Sequence, residues 1–236
     1  SIPPQICTLI SGKSNIEYIK LIGGIWEVWI NIKKIGVLGH GHNDNGQVVI
    51  YKEGRPVLVD LGRGRYTVRN DSLAENQIDP EFHSLLRFKK SPTEYYRSQG
   101  ILEFLSTRSI ITSRSENSIK FDIVYYSGKV VSREVSIEKG IGVKIVDRLK
   151  LGSLKEDFMS TWHFASSEGR CKNEDHKRII DIKDCATVKI IGTEDLSNIF
   201  IEHATRSISY GNNIPAIALN IEGVISINNF IGITIC

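Results

Sequence analysis

Residues 130–140 read VVSREVSIEKG. From Glu134 to Glu138 polar and apolar residues exchange at every step, the period of an extended chain with one face buried. A glycine ends the run, and GVKIVDRLKL (142–151) starts again with β-branched residues. The same build recurs outward in both directions: GRPVLVDLG (54–62), KFDIVYYSG (120–128), FMSTWHFAS (158–166), RIIDIKD (178–184), TVKIIG (187–192), NIFIEHA (198–204), PAIALNIEG (215–223) and VISINNFIGITI (224–235). Each is short, rich in β-branched or aromatic residues and bounded by turn residues, which is strand chemistry. Few segments keep a helical period; Ser14–Ile19 and Glu94–Leu105 are the best helical candidates, and the polar stretch Thr67–Pro80 reads as a loop. The pattern predicts an all-β chain folded as a large antiparallel β-sandwich.

The chain has 236 residues, 41% hydrophobic and 24% charged, with a formal net charge of +3. That is enough length for one large core, and the composition is that of a globular protein. Thirty basic residues against twenty-seven acidic ones show no bias toward nucleic acid, which calls for a clustered basic face. No apolar run is long enough for a membrane-spanning helix, so neither nucleic acid nor membrane is an expected partner. The N-terminus lacks the pattern of a signal peptide. Cys7, Cys171, Cys185 and Cys236 form no CxxC pair, which argues against a cysteine zinc site, and they are expected to be mostly buried thiols.

Residues 39–46 read GHGHNDNG, two histidines, an aspartate and three glycines in eight positions. The segment lacks the lysine of a P-loop, and HExxH and GxSxG are absent from the chain. It reads equally as a polar turn with surface histidines or as part of a ligand cluster. Extended, it would turn His40, His42 and Asp44 to one side. Gln47–Tyr51 and Val57–Asp60 form a hairpin through Lys52–Pro56, which puts Asp60 roughly opposite Gln47. Asn43–Gly46 is turn chemistry that can bring His42 back beside Asp60. Asp60 closes the apolar run Val57–Val59, where a carboxylate needs a partner. His83 supplies a third donor, and two imidazoles with a carboxylate suit zinc or a similar divalent ion. The aromatic clusters Tyr95–Arg97 and Trp162–Phe164 are suited to stacking on sugars or bases, but such clusters more often form sandwich core and rim.

The GHGHNDNG motif followed by GRPVLVDLG resembles the signature of the heparinase II/III-like proteins, polysaccharide lyases and their relatives. The order agrees: a glycine-bearing strand pair within Leu21–Ile32, the motif, the Asp60 strand, Tyr66 and then His83. Trp162-His163-Phe164 and Ile208-Ser209-Tyr210-Gly211-Asn212 are similar to later family segments. Ser84-Leu85 follows His83 where the family carries Asn-Thr.

The resemblance implies β-elimination at a uronic acid: a base removes the C5 proton, the carboxylate is neutralised, and the C4 oxygen leaves with a proton. It implies that His42, Asp60 and His83 bind one divalent metal, zinc first among candidates. His40 would face the substrate and move a proton or neutralise the carboxylate, and Asp44 would hold a ligand histidine in one tautomer. Residues 1–20 are then a lead-in and residues 21–236 the C-terminal sandwich domain. The expected partners are an acidic polysaccharide and an N-terminal α/α toroid absent from this chain, without which the domain alone is expected to be inactive. The family points to a periplasmic or secreted setting. The alternatives are a non-catalytic carbohydrate-binding or scaffolding sandwich with a structural metal, and a metal-dependent hydrolase.

Overall fold

The computed structural model describes residues 8–9, 16–33, 44–62, 83–89, 108–125, 127–174, 177–192, 195–209 and 212–236. Among the described residues every regular element is a strand. In chain order they are β1 (Thr8–Leu9), β2 (Ile16–Gly23), β3 (Trp26–Lys33), β4 (Val48–Lys52), β5 (Arg55–Leu58), β6 (Leu86–Phe88), β7 (Arg108–Arg114), β8 (Ser118–Val124) and β9 (Val130–Glu138). There follow β10 (Gly142–Leu151), β11 (Lys155–Phe164), β12 (Gly169–Glu174), β13 (Lys177–Ile182), β14 (Ala186–Gly192), β15 (Asp195–Ser209), β16 (Asn212–Ser226) and β17 (Phe230–Ile235).

The strands form two sheets, and all their pairings are antiparallel. The first runs β1-β2-β3-β4-β5-β11-β16-β15, with β6 also on β11; the second runs β12-β13-β14-β17-β10-β9-β8-β7. One apolar core joins them. Ile30, Val48, Leu58, Trp162 and Leu219 come from the first sheet, and Phe121, Val135, Ile145 and Ile233 from the second. The large antiparallel sandwich expected from the strand pattern is therefore the fold.

Local sequence explains most boundaries. In β9 the residues from Glu134 to Glu138 alternate between half-buried and buried, as their pattern predicts. The β4–β5 hairpin turns through Glu53 and Gly54, with φ of 51° and 76°, the left-handed pair of a type I′ turn. A register shift between Ile50 and Tyr51 pairs Ile50 with Leu58. Continuing that register sets Asp60 across from Val48, one residue from the position read off the sequence.

Three expectations need correction. Ile16–Ile19, taken with Ser14 as a helical candidate, belongs to β2, where Ile19 and Leu21 are buried and Tyr18 is 48% exposed. A short apolar run does not distinguish helix from strand by periodicity alone. Val224–Ile235 is two strands, because Asn228 takes φ 69° and the Asn229 amide donates to Ser226 O, closing a turn. The described cysteines are not buried thiols: Cys171 is exposed, and Cys185 and Cys236 are half-buried. Glu94–Leu105, Thr67–Pro80, Tyr66 and Tyr95–Arg97 lie outside the described residues.

Candidate functional site

The second half of the GHGHNDNG motif is pinned onto β3. The Gln47 amide donates to Asp44 O at 2.9 Å, closing a turn. The Gly46 amide donates to Asn31 O and the Asn31 amide to Gln47 O, so the turn is stitched to the strand beside it. The Asp44 carboxylate accepts from Asn31 Nδ2 at 2.7 Å and from the Lys33 ammonium. Asn45 Oδ1 accepts from the Lys33 amide and from Ser109 Oγ of the second sheet. Gly46 takes φ +86°, and a Cβ there would stand 2.8 Å from Ile123 Cδ1. The glycine is needed for both the turn and the close approach. Asp44 was expected to steady a ligand histidine; its described partners are Asn31 and Lys33. His40 and His42 lie outside the described residues.

Asp60 and His83, twenty-three positions apart in sequence, meet directly: His83 Nδ1 lies 3.0 Å from Asp60 Oδ2. The imidazole is 1% exposed and the carboxylate 32%, so the histidine is buried and the aspartate stays partly open to solvent. Asp60 Oδ1 accepts from the Gly62 amide at 2.6 Å, which orients the carboxylate. Gln47 Oε1 accepts the Ser84 amide at 2.5 Å, tying the end of the motif turn to the residue after His83. That contact is made by the backbone of Ser84, so the Ser84-Leu85 departure leaves its donor in place.

His163 on β11 completes the surroundings. Its carbonyl accepts from the Val59 amide at 2.9 Å, and its amide approaches Ser84 Oγ at 3.4 Å. The residue is thus flanked by the neighbours of both Asp60 and His83. Burial holds its pKa down at about 3, with the nearby His83 adding in the same direction and Asp60 opposing. The ring is therefore neutral at pH 7, and its Nδ1 has no hydrogen-bond partner among the described residues. Sequence reading placed Trp162–Phe164 as an aromatic core and rim. The available signal was strand alternation, which sends His163 to the face opposite Trp162. Tyr18 on β2 lies within the fields of both carboxylates: burial raises its pKa, and Asp44 and Asp60 raise it further.

Among the described residues no three His, Cys, Asp or Glu side chains form a cluster able to hold a metal. Two of the predicted donors are together nonetheless. Two ligands on one tetrahedral zinc, at bond lengths of about 2.0–2.1 Å, stand roughly 3.3 Å apart. The 3.0 Å between His83 Nδ1 and Asp60 Oδ2 is compatible with that spacing.

The model of the family described as heparinase II/III-like, C-terminal, matches residues 14–221. The chain belongs to this family. Its heparinase II/III-like fold aligns with heparan sulfate lyase HepC from Pedobacter heparinus at 14% identity and a TM-score of 0.70, over 98% of this chain and 36% of that one. A heparinase III, the BT4657 gene product, aligns at 14% identity and a TM-score of 0.71, over 99% of this chain and 36% of that one. The chain thus spans a little over a third of these structures. At such identity the likeness establishes the shared heparinase-type sandwich. No curated protein matches the chain.

Proposed function

We propose that this domain forms one wall of a polysaccharide lyase active site and carries a structural divalent metal, zinc first among candidates. Asp60 and His83 are two of its ligands and His42 the third. The observation that carries the reading is the contact between Asp60 and His83, a buried imidazole and a fixed carboxylate brought together from separate segments. Gly62 holds one carboxylate oxygen, leaving the other to the ligand position. Bound there, the ion would cross-link the motif, the Asp60 strand and the His83 turn, and its binding energy would add directly to folding.

The substrate in this reading is a uronic-acid-containing acidic polysaccharide, and the reaction is β-elimination. His40, two residues from His42, is the proton-moving or carboxylate-neutralising group; an imidazole suits that task because its pKa lies near neutrality. The opposite wall, with the remaining acid and base, comes from an N-terminal α/α toroid. Elimination leaves a conjugated uronate that absorbs in the ultraviolet, whereas hydrolysis leaves no double bond. Incubation of the domain joined to its toroid with acidic glycans should raise that absorbance. Reducing ends appearing without it would replace the lyase reading with a hydrolase.

A further inference from the structure

The stretch that settles the fold also carries an anomaly. Val131, Arg133, Val135 and Ile137 share the inward face of β9, so an arginine stands in the sandwich core, 0% exposed. Directly opposite it on β10 is Asp147, also buried. The pair is bidentate: Nε donates to Asp147 Oδ1 at 2.7 Å and Nη2 to Oδ2 at 2.6 Å. Core ion pairs of this kind add little stability over apolar residues of similar volume. What this one adds is reach. Nη1 crosses to the first sheet and donates to Gly46 O at 2.9 Å and to Ser84 O at 2.8 Å. The guanidinium also lies over the Trp162 ring, its Cζ 5.3 Å from the centroid.

These contacts are not scattered. Gly46 closes the GHGHNDNG motif, Ser84 follows His83, and Trp162 precedes His163, whose carbonyl holds the residue before Asp60. One guanidinium thus touches the motif turn, the His83 turn and the strand that carries His163. A lysine could not reproduce this, since the planar fork offers several donors in fixed directions at once.

We propose that Arg133, held flat by Asp147, is a positioning residue for the site: it ties the motif turn to the His83 turn, and so holds His83 where it meets Asp60 as a metal ligand. The inference rests on the metal reading above. It makes the second sheet, which supplies no candidate ligand, part of the site's support.

The test is zinc affinity, measured by competition with a chromophoric chelator, beside the melting temperature of the metal-free protein. Asp60→Asn tests the metal reading itself. Arg133→Met/Asp147→Leu removes the clamp and leaves no buried charge. Ile233→Ala opens the same core away from the site and controls for lost stability. The double variant should bind zinc about 10-fold or more weakly, the range seen when the groups orienting metal ligands are lost. Ile233→Ala should bind as wild type despite a lower melting temperature. Equal affinities in these two variants would overturn the proposal. If the double variant does not fold, Arg133→Lys, which keeps the charge beside Asp147, decides in the same way. If Asp60→Asn leaves zinc affinity unchanged, the metal reading has failed. The downfield NMR signal of the His83 ring proton shared with Asp60 then tests the clamp in the metal-free protein. Its loss in Arg133→Lys would support positioning, and an unchanged signal would refute it.

Discussion

His163 is an imidazole whose charge state the fold decides. Its pKa falls from an ordinary 6.5 to about 3, chiefly through burial, so the folded protein stays unprotonated where the unfolded chain takes up a proton. Between those two values the unfolded state binds more protons, and stability must fall as pH falls. From pH 6.5 to pH 5 this group should cost the metal-free protein about 1–2 kcal/mol, the slope rising from half its limit of roughly 1.4 kcal/mol per pH unit at pH 6.5. Urea unfolding at both pH values measures it, and His163→Gln should remove that part of the pH dependence. An identical dependence in the variant would mean that His163 is protonated in the fold. The motif histidines divide differently. His42→Ala should lose the metal and lower the melting temperature, because a structural ion contributes folding free energy. His40→Ala should keep both and abolish elimination in the toroid-bearing enzyme.

Among the elements, the turn at Asp44–Gln47 carries the most constraint. Gly46 combines φ +86° with a virtual Cβ 2.8 Å from Ile123 Cδ1, whereas Gly54 has φ +76° and nothing within 4 Å. Gly54→Ala should therefore cost about 1 kcal/mol of backbone strain, and Gly46→Ala about 1–3 kcal/mol more through overpacking against β8. Equal losses on denaturant unfolding would show that the β8 contact is soft. Strand periodicity made much of the architecture legible: residues 142–151 are a strand over their whole length, and the β4–β5 turn lies where Glu53 and Gly54 indicate. Alternation alone did not reveal the break within Val224–Ile235, although the Asn228-Asn229 pair between apolar runs is turn chemistry. The meeting of Asp60 with His83 was anticipated from residue chemistry and the family resemblance; hairpin geometry bore on Asp60 and His42, and His42 lies outside the described residues. The Arg133 clamp was not, because pairing across two sheets leaves no local trace and an arginine within a strand reads by default as solvent-facing.

At the scale of the molecule, the two sheets divide the labour. The first brings Asp60, His83, His163 and the motif turn close together; the second closes the core and reaches back through Arg133 to the motif and His83 turns. The family match covers residues 14–221, and the chain spans 36% of the related lyase structures. Most of the reading depends on the proposed metal between Asp60, His83 and His42. Elemental analysis of the purified, extensively dialysed protein tests it most directly, with Asp60→Asn carried in parallel. About one zinc or similar divalent ion per chain is expected in the wild type, and its loss in the variant. A folded wild-type protein that retains no metal, even after incubation with zinc, would contradict it and reduce GHGHNDNG to a hydrogen-bonded turn.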